Sequence, residues 1–389
     1  MDLTWSEEED AFRAEARAWL EESLDLWRQE CGGTPASGDT RAGFNEHRRW
    51  EQMLFEGRWA VVSWPERYGG RDASLWEWLI FEEEYYRAGG PPRITQNGIF
   101  LLAPTVFEVG TAEQQDRILP RMAAALDLWC QGWSEPNAGS DLASLRSTAR
   151  RVDGGWVLDG QKTWTTRGAF CTHLFGLFRS DPDQERHRGL TYLLVPLDLD
   201  GITVRGFGRL DGDEGFAEVF FDGAFVPDEG PLGPTVLGAP GQGWQVAMAT
   251  TSSERGLTLR APGRFVATAE RLLEVWRATD GSQRLPHLRD RIVDVWMRAE
   301  AYRVQTLEVV SRTMAGQPPG AATSMVKLWW SELDVDMHEL ALELLGPEAE
   351  LDGPWAKGWQ FALAGPIYAG TNEIQRNITA ERVLGLPRA

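Results

Sequence analysis

Hydrophobic and polar positions divide the chain into three textures. From residue 1 to about residue 125, apolar positions recur at helical spacing. Thr4 with Glu7, Ser74 with Glu77 and Thr111 with Gln114 each place a hydroxyl three residues before a Glu or Gln. That pattern marks a helix start, where side chains bond the N–H groups that the first turn leaves free. The first pair predicts a helix reaching about Glu30. Residues 31–39, rich in Gly, Pro, Ser and Thr, predict a loop. Helical periodicity resumes near Phe44, and Trp64-Pro65-Glu66-Arg67-Tyr68-Gly69-Gly70 breaks it.

From 126 to 235 the chain reads as short alternating strands. They are predicted at 146–151, 156–159, 172–178, 191–196, 203–207 and 218–221, with Asp153-Gly154-Gly155 and Asp159-Gly160 as turns. Strands at this spacing suggest a small barrel or sandwich. From 236 to 389 helical patterning returns over 242–279, 287–315 and 322–345, broken at Asp280-Gly281, at 316–320 and at Gly346-Pro347. Long helices with short connections suggest a four-helix bundle. The expected fold class is α+β and multi-domain: a helical N-terminal domain (1–125), a central β-barrel or sandwich domain (126–235) and a C-terminal four-helix bundle (236–389).

Composition narrows the function. Acidic residues outnumber basic ones 58 to 39, a net charge of −19. Such a chain is a poor partner for nucleic acid or an anionic membrane, both of which need a basic surface. Cys31, Cys130 and Cys171 are far apart, with no CxxC pair, which argues against a disulfide framework or a structural zinc. Five scattered histidines show no metal-ligand or triad spacing, so no metal is expected. The stretch from Met1 to Asp10 is acidic and unlike a signal peptide, and no apolar run approaches the roughly 18–20 residues of a membrane span. A cytoplasmic protein is the expectation. Nineteen tryptophans could serve core, interface or stacking, and composition does not choose.

Most generic motifs are missing. Gly241-Gln242-Gly243 has no third glycine at dinucleotide-binding spacing and reads as a loop before a helix. Two segments stand out. Gln131-Gly132-Trp133-Ser134-Glu135-Pro136-Asn137-Ala138-Gly139-Ser140-Asp141 offers backbone N–H groups and short hydroxyls to anionic oxygens, and Asp159-Gly160-Gln161-Lys162-Thr163-Trp164-Thr165-Thr166 follows it. In Tyr368-Ala369-Gly370-Thr371-Asn372-Glu373-Ile374-Gln375-Arg376-Asn377, Thr371 reads as an N-cap, so the next N–H groups point back into the loop.

Taken in order, these segments resemble the acyl-CoA dehydrogenase family over nearly the whole chain. The early Trp64–Gly70 stretch, residues 160–164, residues 218–226 and the terminal Gly-Thr-x-x-Ile-Gln-Arg-Asn carry the resemblance further. It implies non-covalent FAD between the β-domain and the bundle, completed by a neighbouring subunit in a dimer or tetramer. It also implies α,β-dehydrogenation of an acyl-CoA thioester: a carboxylate removes the α-proton, the β-hydride passes to flavin N5, and an electron-transferring flavoprotein takes the electrons. Residue by residue, it implies that Gln131, Trp133 and Ser134 line the flavin ring, with Trp164 and Thr166 on its other side. Ser140 would contact the pantetheine–phosphate part of CoA and Arg255 its adenosine-ribose end. Thr371 and Glu373 would face the flavin adenosine or diphosphate, and Arg277 is the counterpart of an arginine that meets the neighbour's FAD. Gly370 would lie against substrate.

The informative departure is at the base. The best-known members carry a glutamate directly before the Gly-Thr, where this chain has Ala369. A second family position lies on a C-terminal-domain helix just before an arginine, and Ser252-Ser253-Glu254-Arg255-Gly256 stands there. Glu254 is the expected base, since a carboxylate may reach the α-carbon from either wall of the pocket. Ala369 keeps its backbone N–H, which in the family polarises the thioester carbonyl. After Arg277 the family's Phe-Gly and Gln are missing, so a mixed tetramer with a homologous chain is an alternative to a homo-oligomer. Two other functions stay open: a non-catalytic partner subunit of a mixed complex, and a flavin oxidase or monooxygenase of the same fold.

Overall fold

The computed structural model describes residues 4–254, 261–279, 285–317 and 323–387, and for residues 252–254 the backbone. In chain order come helices α1 (Glu7–Glu30), α2 (Arg41–Glu56), α3 (Leu75–Arg87), α4 (Ala103–Val109) and α5 (Ala112–Ala123). Strands β1 (Trp129–Gly132), β2 (Thr148–Val152), β3 (Gly155–Thr166), β4 (His173–Arg179), β5 (Leu190–Pro196), β6 (Ile202–Phe207) and β7 (Phe216–Pro227) follow, with a short pair β8 (Glu229–Gly230) and β9 (Gly233–Pro234). Then come α6 (Gly243–Glu254), α7 (Pro262–Ala278), α8 (Pro286–Met314), α9 (Thr323–Leu345), α10 (Pro354–Ala362) and α11 (Asn372–Ile378).

The helix starts are read correctly at two of three positions. Ser74 with Glu77 and Thr111 with Gln114 form reciprocal capping boxes. At α1 the box is one step on. The Ser6 amide donates to the Glu9 carboxylate (2.8 Å) and the Glu9 amide to Ser6 Oγ (3.2 Å), so Thr4 and Glu7 are not the capping pair. Both pairs fit the pattern, and the backbone settles on the later one. The stretch 242–279 is not one helix. It holds α6 and α7, and α7 opens with Pro262 at its first position, preceded by extended Ala261. Proline lacks the N–H and disfavours a helical residue before it, so a helix starts there.

The chain forms two compact units. One comprises Asp25–Ala73 and Pro91–Glu254, the other the residues up to Leu24, Ser74–Gly90 and the part after Glu254. In the first, seven strands make one sheet in the order β1-β4-β2-β3-β7-β6, with β5 also on β4. β3 and β7 are its longest strands, and the Asp159-Gly160 expected as a turn lies inside β3, where the register slips between Leu158 and Gly160. Gly160 has φ 136°, and a Cβ there would lie 2.4 Å from Ser147 Oγ, so the bulge needs glycine. β1, unforeseen as a strand, pairs parallel with β4. Leu158, Leu174, Phe178, Leu193, Val195 and Val219 form the sheet's core. In the other unit α7, α8 and α9 bury Phe265, Leu272, Ile292, Val295, Trp330, Leu333 and Met337. Nine of the nineteen tryptophans are buried, and Trp50, Trp59 and Trp330 are among the largest fully buried side chains. Among the described residues no helix is long and apolar enough to cross a membrane, and no cluster of His, Cys, Asp or Glu could hold a metal ion.

Candidate functional site

In the unit that carries the sheet, two candidate segments are joined by one buried ion pair. Lys162 Nζ, fully enclosed on β3, donates to Glu135 Oε1 (2.8 Å) and to the Trp133 carbonyl (3.3 Å). Glu135 also accepts from the Arg146 and Ser147 amides at 2.6 and 2.8 Å. Burial brings the Lys162 ammonium down to about 8, against the pull of Glu135. Burial also works against the Glu135 carboxylate, but Lys162 and the two amides hold it below the usual carboxylate range. Both groups are therefore charged at neutral pH, and the loop after β1 is pinned to β3. The Thr163 amide adds a bond to the Ser134 carbonyl at 2.9 Å. The sequence displays both residues inside the two segments. Nothing in it says that they meet.

Two residues beyond Lys162 the strand breaks register again. Trp164 sits in this break with φ 59°, a conformation that crowds a bulky side chain, and 60% of it is exposed. The edges of Phe207 and Phe216 steady its indole at 5.3 and 5.5 Å. An apolar ring held out in this way is a stacking face, and it fits a flat aromatic ligand. Thr166, at the end of β3, is half-buried, and Thr165 is locked inward by a 2.6 Å bond to the Ala217 carbonyl. Gln131 is half-buried at the end of β1, and Ser134 lies just beyond. Trp133 is buried, edge-on to Tyr192 at 6.2 Å, and its indole Nε1 has no partner among the described residues. Ser140 is exposed on the loop.

Glu254 is the last residue of α6. That helix is held by hydroxyls one turn earlier. Thr250 Oγ1 lies 2.8 Å from Thr105 Oγ1 of α4 and 3.3 Å from the Tyr192 hydroxyl of β5, all buried. These three were not legible as site residues, because each belongs to a different element. Arg255 lies outside the described residues.

The other unit holds the C-terminal motif. Thr371 caps α11 through a 3.3 Å bond from the Ile374 amide, as expected, although the helix is only seven residues long. Ala369 and Gly370 both have positive φ, 57° and 79°. Gln375 Nε2 donates to their carbonyls at 3.1 and 3.4 Å, which fixes the peptide planes of the turn. Buried Lys327 of α9 donates to Asn372 Oδ1 (2.6 Å), and Ser331 Oγ donates to the same oxygen (3.1 Å), so the start of α11 is tied to α9. Glu373 is exposed in the first turn, where its own amide and Thr371 hold its carboxyl below the ordinary value. Arg277 is exposed in the last turn of α7.

Comparison with known proteins places this geometry. Residues 6–125 match "Acyl-CoA dehydrogenase, N-terminal domain", 130–224 the middle domain and 241–384 the C-terminal domain. The chain is 39% identical over 386 residues to acyl-CoA dehydrogenase IpdE1 of Mycobacterium tuberculosis, covering 97% of this chain and 98% of that one. Its fold is similar to the Tcur3481-Tcur3483 steroid ACAD, with 25% identity, full coverage of both chains and a TM-score of 0.85. It is also similar to the ChsE4-ChsE5 complex from Mycobacterium tuberculosis, with 27% identity, full coverage of both and a TM-score of 0.84. Three successive domain matches and a full-length relative, on a fold with an exposed stacking tryptophan and a doubly left-handed C-terminal turn, lead to one conclusion: the chain belongs to the acyl-CoA dehydrogenase family of FAD-dependent oxidoreductases.

Proposed function

We propose that this chain desaturates a bulky acyl-CoA thioester at its α,β bond, with Glu254 as the base and the Ala369 amide as the group that polarises the thioester carbonyl. The turn at Ala369 carries the reading. At Ala369 a non-glycine residue in the left-handed region sets the angle between its own N–H, which lies in the peptide shared with Tyr368, and the following peptide, whose carbonyl Gln375 ties back. That rigidity is what an oxyanion-type donor requires, because its strength lies in being aimed before charge develops. Alanine at 369 cannot take a proton, so the base must come from elsewhere, and Glu254 ends a helix anchored at Thr250.

When bound, FAD supplies the two-electron acceptor for the hydride of the β-carbon. Trp164, Thr166 and the backbone of Gln131 and Ser134 would hold its ring, with Trp133 behind them. Thr371, Glu373 and Arg277 would serve its adenosine and diphosphate part. Glu254 takes the α-proton as the Ala369 N–H draws negative charge to the thioester oxygen. Ser140 and Arg255 would serve CoA, and Gly370 the acyl end. Support for a bulky acyl group comes from the likeness to a steroid ACAD. An electron-transferring flavoprotein remains the proposed electron acceptor.

A mixed assembly with a homologous chain is the second reading. The likeness to the ChsE4-ChsE5 complex favours it. Glu254→Gln tests the first. The variant should bind FAD as the wild type does and fail to bleach the flavin absorption under substrate. Normal bleaching would assign the base to another residue.

A further inference from the structure

The helical unit contains a charged group that the chemistry proposed above does not use. Arg264 lies in the first turn of α7, where a positive charge opposes the helix dipole. Its Nη2 donates to Asp334 Oδ2 of α9 at 2.7 Å, and Asp334 is buried. Among the described residues this is the one hydrogen bond that the Arg264 guanidinium makes, and a quarter of the side chain is exposed. The guanidinium lies over Phe265 at 5.4 Å and near Phe361 at 6.0 Å. Burial works to lower its pKa, but Asp334 and then Tyr368, Tyr86 and Tyr302 outweigh burial, so it stays charged and its donors stay available.

Its position relates it to the Ala369 turn. Tyr368 directly precedes Ala369 and stacks on Trp330 at 5.9 Å. Trp330 stacks in turn on Phe265 at 6.2 Å, and Phe265 is the next residue after Arg264. A run of aromatic rings thus leads from the proposed thioester site to a guanidinium with unused donors. An arginine kept in such surroundings costs desolvation, which a purely structural helix contact does not require.

We propose that Arg264 is a specificity-determining residue, donating hydrogen bonds to an oxygen carried by the acyl group beyond the thioester. This rests on the acyl-CoA reading above and deepens it. The ligand class follows from charge. Asp334 already neutralises the guanidinium, and Glu274 faces Arg271, the other cation near this pair, so a carboxylate on the ligand would leave the cluster with excess negative charge. A ketone or hydroxyl oxygen uses the spare donors without that cost. The preferred substrate is then an acyl-CoA with an oxygenated ring or chain, and a plain hydrocarbon acyl group leaves the donors unmatched.

The test uses two CoA thioethers, S-(3-cyclohexylpropyl)-CoA and its 4-oxocyclohexyl counterpart, titrated calorimetrically into the FAD-loaded full chain. Thioethers lack the carbonyl that acidifies the α-proton, so binding is read without turnover. The oxo compound should bind about tenfold tighter or more, the scale of a hydrogen bond to a charged donor. Arg264→Lys keeps a charge for Asp334 but loses the planar fork, and it should erase most of that ratio. The double variant Arg264→Met with Asp334→Asn removes both charges together and should erase it entirely. Equal affinities in the wild type would overturn the proposal, and this arm needs no variant to fold. A ratio that survives in both variants would overturn it as well. Binding of neither thioether would overturn the acyl-CoA reading itself, and this inference with it.

Discussion

Trp164 is unfavourable twice over: its backbone is left-handed and most of its indole is in water. Neither is a folding solution, and both persist because Lys162 and Thr165 on either side are fully buried and bonded. Trp164→Ala should therefore cost little stability and weaken FAD binding by about tenfold, the loss of one aromatic stacking contact. Fluorescence titration of the apoprotein with FAD would show it, and an unchanged Kd would remove Trp164 from the site. Asp39 bears on the same stretch, because it accepts from Arg167, the residue after Thr166, and from Arg209. Burial works to raise the Asp39 pKa, but the two arginines outweigh it and hold the carboxyl below its ordinary value. A carboxylate depressed in the folded state stabilises above its unfolded pKa of about 4, and that contribution fades as the pH falls through the folded value. Asp39→Asn should lose about 3 kcal/mol or more at pH 7, the cost of breaking a buried pair. In urea melts its deficit should shrink below about pH 4. A deficit that stays constant down to the acid range would contradict the assignment.

At the scale of elements, α6 shows how a site residue is placed from behind. Its inner face meets α4 and β5 through Val246, Ala247 and Thr250. Thr250→Val removes the hydroxyl that meets both Thr105 and Tyr192, while Thr105 Oγ1 keeps its bond to the Leu101 carbonyl, so the cost should be about 1 kcal/mol, that of a hydrogen bond lost without a stranded partner. If α6 carries the base, the rate of flavin bleaching should fall with FAD still bound, because the end of the helix is no longer held in register. Stopped-flow reduction together with a melting curve separates the effects. A lower melting temperature at full rate would confine these hydroxyls to stability. The long β3 makes a related point. Its two register breaks allow one strand to keep Lys162 inside and turn Trp164 outside within three residues, whereas strict alternation would place them on the same face.

For the whole molecule the open matter is assembly. The chain aligns along its full length with a component of a complex that is named for two proteins. The proposed function predicts a full complement of flavin on this chain purified alone, by absorbance against protein concentration. A large shortfall that is restored on co-expression with a homologous chain would instead establish the mixed assembly. The charge of −19 bears on partners at this scale too, since like-charged copies repel at low salt and any self-assembly should tighten as salt rises.

What the sequence determined by itself was local. Hydrophobic period distinguished helix from strand, and hydroxyl–Glu/Gln spacing located the starts of α3 and α5, because those forces act within a few residues. The motif residues and the exceptional Ala369 were also legible, and Glu254 could be proposed as its substitute, since each is a matter of residue identity and order. The Lys162–Glu135 pair, the joining of Thr105, Tyr192 and Thr250, and the spare donors of Arg264 were not. These depend on which distant segments pack together and on what burial then does to a charge or a hydroxyl. Only the tertiary structure decides that, because burial and partner choice are properties of the packed chain and not of any stretch of it.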